Sequence, residues 1–388
     1  MLYRTLFSSA LAALAAVFCC ACHKAGPDSG VLVPPLPEIS LQEVAALLAS
    51  VPLETDQLEE VHDAAFSSAL NGYDEEYTMR DLFSAPGTGV GAAAPAKADR
   101  YARPLRDLLR EALLAGVTKA DAAPSPEAWL EALARSDVQI YWPYSENWDG
   151  QALPVVTYDP GEGATRNEGF ALQEDGTVQK VMVDENMPLE RPVWVVNRNE
   201  DAAYKTLELL RREDPSWGSG GEILVKAAAE EPGKTLILRS FTAHRQFDSW
   251  FAGASEFFVK LGAVEKFKAS TEAEMRLYDP AVTDFMVVVR RARMGEEIPF
   301  NAILVSEWTK QLTSCALMIV EDDGGSRTNW KCSAMVKVNS KSYGIELDLP
   351  LYSRDDIVWR GTLTRSFLER NSGQAVRLGD ATLTFELI

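Results

Sequence analysis

The sequence predicts an α+β fold, in which a helical N-terminal region precedes a small mixed strand-rich module and a C-terminal antiparallel β-sandwich. Between residues 40 and 136 the apolar residues recur at helical spacing, whereas from residue 137 they alternate in short runs. From residue 233 onward, strand-like runs are separated by turn residues without helical patterns between them, which is typical of a sandwich. A length of 388 residues also exceeds one ordinary domain. We therefore expect three regions, 40–136, 137–232 and 233–388, after an N-terminal leader.

The leader has the pattern of a secretory signal. Arg4 is followed by an apolar run of small residues that is too short and too rich in alanine for a membrane span. The stretch CAC at 20–22 resembles the cleavage site of bacterial lipoproteins, in which the last cysteine is acylated and becomes the mature N-terminus. The resemblance implies a signal peptide at 1–22, a lipid such as palmitate on Cys22 and a tether at 23–39. The alternatives are an uncleaved anchor and a soluble secreted protein.

Local signals predict where the helices of the 40–136 region begin. SLQE at 40–43 is a capping box ahead of an apolar run, and DQLE at 56–59 repeats the pattern. PLRDLLREALLAG has apolar residues at helical spacing, and the Ser-Pro pair at 125–126 begins one more helix. The low-complexity stretch at 84–98 is a predicted loop.

Strand patterns and turn dipeptides organise the remainder of the chain. In 137–232 the strand-like runs are VQIYWPY, LPVVTYDP, GFALQEDGTVQKVMVDE and RPVWVVNRNE, and EDAAYKTLELLRRE is a predicted helix. In 233–388 the predicted strands extend from KTLILRSF to ATLTFEL. The Asp-Gly and Gly-Asp pairs at 175–176, 323–324 and 379–380 predict hairpin turns.

Cys315 and Cys332 flank the hairpin predicted at 323–324. A two-residue turn there places the two cysteines directly opposite each other, at a non-hydrogen-bonded pair where side chains lie closest. In an oxidising compartment the pair can close as a disulfide. The alternative, two small buried hydrophobic side chains facing each other, is equally open.

Charge and motifs limit the classes of function. The net charge of −19, from 57 acidic and 38 basic residues, argues against nucleic acid as a partner and mildly favours divalent cations. The chain lacks the HExxH zinc motif and the GxSxG nucleophile motif, and its EPGKT fragment lacks the upstream glycine of a phosphate loop. His244 and Asp248 are a candidate histidine–carboxylate pair for acid–base catalysis, although such pairs are commonly structural.

Acidic residues gather at two predicted turns of the C-terminal region, and the order IVEDD…DDIVWRG distantly resembles the C2-domain family. In that family, loops at one end of a sandwich gather aspartates around calcium. The resemblance implies calcium as a cofactor. Hard cations bind several carboxylate and carbonyl oxygens from different loops, so Asp248 is a further candidate ligand if the fold brings it near. Solvated turn carboxylates are the alternative. The implied ligands are Glu321, Asp322, Asp323, Asp355 and Asp356.

The middle third, from VQIYWPYSENW through VVTYDP to PVWVVNRNE, and the leader resemble a group of uncharacterised lipoproteins of bacterial envelopes. The resemblance implies a location on a bacterial membrane, the outer membrane in first place, but no activity. We therefore predict a non-catalytic binding or structural module, anchored by its lipid, with an envelope protein or a glycan as partner. The alternative is an envelope hydrolase that acts on peptide or glycan through carboxylates such as Asp159, Asp184 or Glu185.

Overall fold

The structure, a computed structural model, describes residues that follow the predicted leader. The predicted signal peptide, Cys22 and the tether up to residue 35 lie outside the described residues. Leu36–Ile388 form one compact unit. Within the described ranges, no helix is both long enough and apolar enough to cross a membrane. The described residues are 36–84, 101–116, 125–161, 163–173, 176–199, 204–213 and 233–388.

The helices of the N-terminal half begin close to the predicted positions. The Ser40 cap is confirmed, because its side chain accepts a hydrogen bond from the backbone N–H three residues on. The Asp56 cap is wrong: Glu54 is the N-cap residue, and Gln57 completes its capping box. Ser125 caps its helix as predicted, with proline at the first helical position. The described helices here are α1 (Leu41–Ser50), α2 (Thr55–Leu70), α3 (Met79–Phe83), α4 (Leu105–Gly116) and α5 (Pro126–Arg135).

A mixed sheet follows these helices in the chain, with the strand order β1-β2-β6-β3-β4-β5. The pair β3–β6 is parallel, and the other neighbours are antiparallel. The hairpin predicted at 175–176 is confirmed, since β4 pairs with β5. Strand β1 was not predicted, because three residues are too few for an alternating pattern. The strands are β1 (Glu76–Thr78), β2 (Val138–Tyr141), β3 (Val155–Tyr158), β4 (Arg166–Leu172), β5 (Val178–Asp184) and β6 (Val193–Arg198).

The helical region and the mixed sheet share one hydrophobic core. Residues of α1, α2, α4 and α5 pack in it together with residues of β2, β3, β4 and β6. Trp142 and Trp194 are buried there, with ring centroids 5.6 Å apart, so aromatic residues of the IYWPYSENW stretch and of β6 serve the core. Residue 137 therefore marks a change of secondary structure inside one core.

The C-terminal half consists of antiparallel sheets, as predicted. One has the order β10-β7-β16-β15, and the other has the order β13-β12-β11-β8-β9, with β14 also paired to β11. The two sheets share a core, in which Phe241 and Phe257 lie 5.3 Å apart between ring centroids. The hairpin at 379–380 is confirmed by the pair Leu378–Ala381. The strands are β7 (Lys234–Ala243), β8 (Ser255–Ala263), β9 (Ala281–Val289), β10 (Ile298–Trp308), β11 (Leu312–Glu321), β12 (Arg327–Val338), β13 (Lys341–Tyr352), β14 (Asp356–Thr364), β15 (Gln374–Leu378) and β16 (Ala381–Leu387).

Short helices connect several of these strands. In the helix predicted from the EDAAYKTLELLRRE stretch, residues 200–203 lie outside the described residues, and the helix itself begins at Leu207. The described short helices are α6 (Met187–Glu190), α7 (Leu207–Glu213), α8 (Glu272–Met275) and α9 (Arg365–Arg370).

The predicted register of the cysteine hairpin is wrong. Cys315 lies opposite Leu363 of β14, and Cys332 lies opposite Leu347 of β13. Both cysteines are free thiols. The reason is that β12 pairs with β11 only near Leu312 and Ser314, after which β8 takes its place along that edge, while β14 pairs along the opposite edge of β11. The connection between β11 and β12 also has five residues, 322–326, instead of two.

Candidate metal centre

A concave cavity of about 690 Å³ lies between the mixed sheet and the C-terminal sheets. Its walls come from the start of β1 and the residue Asp74 before it, from the residues after β3, from the end of β6, from the loop after β7, and from the turns before β12 and β14. Acidic side chains outnumber basic ones in the lining by eight to two. The acidic residues are Asp74, Glu76, Asp159, Asp248, Glu256, Asp322, Asp323 and Asp356, and the basic ones are Arg198 and Arg354.

Three acidic side chains converge at this cavity. Asp248, Glu256 and Glu321 each offer a carboxylate oxygen, and these oxygens lie within 4.8 Å of one another. Glu321 is the last residue of β11 and Glu256 lies near the start of β8, and the antiparallel pairing of these strands brings the two together. Asp248 comes from the loop between β7 and β8. We call these residues the acidic trio.

Glu321 is the most unusual member of the trio. Its side chain is 0% exposed, and in the ionised form neither carboxylate oxygen has a hydrogen-bond donor, whereas the protonated form contacts Asp248. The nearby hydroxyl of Ser255 donates its single proton to Gln246 Oε1 at 2.7 Å, so that proton is not available to Glu321. Burial, and then the neighbouring Asp248, raise the pKa of Glu321 to about 11. An ionised Glu321 therefore needs a cation.

Backbone contacts hold Asp248 beside Glu321. Its N–H donates to Ser255 Oγ at 3.4 Å, and its carbonyl oxygen accepts a hydrogen bond from Arg291 Nη2 at 2.7 Å. Burial raises the pKa of the Asp248 carboxyl, although contact with Glu321 and the charge of Arg291 partly offset this. Two buried carboxylates this close cannot both be ionised without a counter-charge. A proton or a metal ion between them removes the repulsion.

The other residues that the C2 resemblance implied lie at the turns next to the trio. Asp322 Oδ1 accepts a hydrogen bond from the Gly324 N–H at 2.9 Å, and Asp355 Oδ2 accepts one from the Tyr352 N–H at 2.7 Å. Burial, with Asp322 nearby, raises the pKa of Asp355 to about 6. Both residues therefore stabilise turns. Asp323 and Asp356 line the cavity, and Glu321 is the implied residue that belongs to the trio.

The proposed catalytic pair, His244 and Asp248, is not formed in the structure. His244 is exposed, and its Nε2 lies 2.7 Å from Thr382 Oγ1, whereas Asp248 faces Glu321. A spacing of four residues in a loop does not predict that two side chains meet.

The carboxylates of the hydrolase alternative are placed differently from one another. Asp159 lines the cavity, and burial raises its pKa. Asp184 pairs with Arg166 at 3.9 Å and accepts a hydrogen bond from the Asn186 N–H. Glu185 is exposed. One of the three therefore belongs to the cavity.

Sequence reasoning missed Glu256 and Asp74. Glu256 lies in SEFFVKLG, an ordinary strand pattern, and Asp74 lies in the acidic run DEE that follows α2. The signal that the sequence offered is this run, in which every position from 74 to 76 is acidic. In the structure all three of these side chains are buried.

Comparisons with family models, with curated proteins and with solved structures find no match for this chain.

Proposed function

We propose that this protein is a cell-envelope protein, held to a membrane by a lipid on Cys22, that binds a divalent cation through its acidic trio. The observation that carries the cation site is Glu321, a fully buried carboxyl that has no hydrogen-bond donor when ionised and whose ligand atom lies within 4.8 Å of those of Asp248 and Glu256. A buried charge in a folded protein is paired or bound to a metal. A cation of charge two offsets the repulsion within the trio.

Calcium is the ion that this donor set favours. The trio offers oxygen ligands and neither histidine nor cysteine, which selects hard cations over zinc or copper. Its residues come from two strands and a loop, so the site is irregular. Calcium accepts six to eight oxygens in flexible geometry, whereas magnesium requires a near-ideal octahedron and keeps several waters.

Thermal melting with and without calcium tests the site. In EDTA we expect Glu321→Gln to melt close to the unsubstituted protein, because Glu321 is protonated there and the neutral amide keeps its shape. With calcium at about a hundredfold excess over its Kd, the unsubstituted protein gains about 2.7 kcal/mol, and its Tm rises by several degrees. The variant should show no calcium-dependent rise.

Glu346→Gln is the matched control, because Glu346 is an exposed glutamate of β13 in the same sheet. Its Tm should rise with calcium as in the unsubstituted protein. An unchanged Tm of the unsubstituted protein at millimolar calcium, with no heat of binding in calorimetry, would show that the trio holds no calcium.

The hydrolase alternative has one observation in its favour, because a close carboxyl pair in a concave cavity can act as a general acid and base. Incubation with peptide and glycan fragments of bacterial cell wall in EDTA separates the two functions. A cation-binding module releases no product. Turnover that persists in EDTA and is lost in Asp248→Asn would replace the cation proposal with hydrolysis.

The lipid anchor is tested by fractionation. Cys22 lies outside the described residues, and its role rests on the leader pattern. We expect Cys22→Ser to abolish labelling by palmitate and to move the protein out of the membrane fraction. Cys332→Ser, which changes a half-buried thiol far along the chain, should leave both unchanged. Equal labelling of Cys22→Ser and the unsubstituted protein would refute acylation at this cysteine.

A further inference from the structure

A second set of acceptors lies in another part of the cavity wall. Asp74 and Asn197 are 4% and 1% exposed, and both line the cavity. Asp74 Oδ1 and Asn197 Oδ1 have no hydrogen-bond partner. Two buried oxygen acceptors of this kind call for a ligand that donates N–H groups.

The remaining atoms of these side chains are already used, which fixes their positions. Asp74 Oδ2 accepts a hydrogen bond from the Ala254 N–H at 2.8 Å. Asn197 Nδ2 donates to the carbonyl oxygens of Phe251 at 3.1 Å and of Ala252 at 2.5 Å. The donors of Asn197 are thus occupied by the protein, and its carbonyl oxygen is the atom left for a ligand.

The charge of the cavity is spread over more space than one metal ion can occupy. Among the described residues, the acidic trio is the only group of three or more metal-ligating side chains whose ligand atoms converge closely enough to share an ion. Six further carboxylates line the same cavity of about 690 Å³, a volume that is ordinary for an organic ligand. Burial raises the pKa of Asp159, and it raises the pKa of Asp74 although the charges of Arg290 and Arg291 partly offset this. An extended cation with several charges fits this distribution.

We propose that the cavity binds an organic polycation with primary ammonium groups, one of which occupies the position between Asp74 and Asn197. An ammonium group has three N–H donors and one positive charge, which matches one carboxylate and one amide oxygen. The remaining charges of the ligand meet the carboxylates of the cavity that lie outside the acidic trio, such as Asp159. Free polyamines and lysine side chains of a peptide share this chemistry. The proposal goes beyond the cation site and involves other residues.

Calorimetry with spermidine and with trilysine, at low salt and in EDTA, tests the proposal. We expect binding of one or both ligands to the unsubstituted protein, and a loss of affinity of about tenfold or more in Asp74→Asn, because a charge-assisted hydrogen bond is removed. Asp74→Asn keeps an oxygen for the Ala254 N–H. Tighter binding of spermidine indicates a free polyamine as ligand, and tighter binding of trilysine indicates a lysine side chain.

A second variant and two controls keep the result clear. Asp159→Asn changes a less buried part of the cavity wall and should also weaken binding of the ligand. This variant tests the proposal if Asp74→Asn does not fold. Glu321→Gln should lose the calcium response and keep spermidine binding, so failures of the two sites are distinguishable. Glu346→Gln should bind as the unsubstituted protein does. No heat with either ligand at millimolar concentration, or equal losses in Glu346→Gln and Asp74→Asn, would overturn the proposal.

Discussion

Glu75 is a buried carboxyl that shares a proton with another glutamate. It accepts hydrogen bonds from the N–H groups of Tyr144 and Ser145 and from the Ser145 hydroxyl, each at 3.2 Å. Burial, and then contact with Glu146, raise the pKa of Glu75 to about 9, and the same contact lowers the pKa of Glu146. The proton therefore resides on Glu75. The hydrogen bonds that Glu75 accepts stabilise a turn in which Tyr144 has a φ of 58°.

This pair predicts a pH-dependent stability. The folded state holds the proton more tightly than the unfolded chain, whose carboxyl has a pKa of 4.5. The contribution is thus complete below pH 4.5 and is lost as the pH rises towards 9, with a slope of up to about 1.4 kcal/mol per pH unit. Glu75→Gln mimics the protonated form, so its stability should fall less between pH 5 and 9 in urea titrations.

The exposed glutamate Glu190 provides the control for this comparison. Glu190→Gln should follow the pH profile of the unsubstituted protein. Parallel pH profiles for Glu75→Gln and the unsubstituted protein would show that Glu75 is ionised in the folded state across this range.

Two glycines with similar backbone angles predict very different costs of substitution. Gly379 has a φ of +64°, and a Cβ atom there would lie 2.1 Å from the carbonyl oxygen of Val358. Gly373 has a φ of +73°, and a Cβ atom there meets nothing within 4 Å. Gly373→Ala should therefore cost about 1 kcal/mol from backbone strain alone. Gly379→Ala should cost at least about 3 kcal/mol, since overlap with the backbone is added. Chemical denaturation measures both, and equal costs would contradict the close approach at Gly379.

At the scale of elements, strand β11 decides the arrangement of the larger C-terminal sheet. One edge pairs with β14, and the other pairs first with β12 and then with β8. This exchange of partners separates Cys315 from Cys332. Pairing along the β14 edge brings Asp355 and Asp356 next to the turn that follows Glu321.

Because β12 leaves the edge of β11 after Ser314, we predict that Cys315 and Cys332 are both free thiols. When the purified protein is unfolded without reductant, we expect an alkylating reagent to modify both Cys315 and Cys332, as read from peptide masses. In the folded protein the reaction should be slow, because burial raises the pKa of Cys315 to about 12 and of Cys332 to about 11, so little thiolate is present at neutral pH. A mass that corresponds to a Cys315–Cys332 disulfide would show that β12 lies along β11 after all.

At the scale of the whole molecule, a loop of the C-terminal half covers the mixed sheet. Trp250 and Phe251 pack with Tyr141, Val155 and residues of β4, β5 and β6, on the face of the mixed sheet that is remote from the main helical core. The same loop provides the Ala254 N–H for Asp74 and the carbonyl oxygens for Asn197. Both halves thus build the cavity and depend on the same contact.

This contact predicts cooperative unfolding. Phe251 is 0% exposed, and Phe251→Ala should lower the free energy of unfolding by about 3–5 kcal/mol while the transition stays single. Leu277, which is 81% exposed, gives the control, and Leu277→Ala should change the free energy by less than about 0.5 kcal/mol. Urea unfolding followed by circular dichroism measures both. Two separate transitions in the unsubstituted protein would contradict the coupling of the halves.

The sequence by itself determined the fold class, most helix starts and two of the three hairpins. These features depend on contacts within a few residues, such as the Ser40 and Ser125 caps and the two-residue turn between β15 and β16, so they can be read along the chain. Among the carboxylates, it predicted acidic residues at the turn from Glu321 to Asp323, and a metal role for them and for Asp248 stays a prediction.

Only the tertiary structure decided which acidic residues meet. Glu321 and Asp248 are separated by more than seventy positions, and Asp74 reaches the cavity from a different sheet altogether. Their approach depends on strand order, on the replacement of β12 by β8 beside β11, and on the loop that carries Phe251. These are long-range packing choices, and no local pattern records them, because the hydrophobic alternation of a strand is the same whichever neighbour it pairs with.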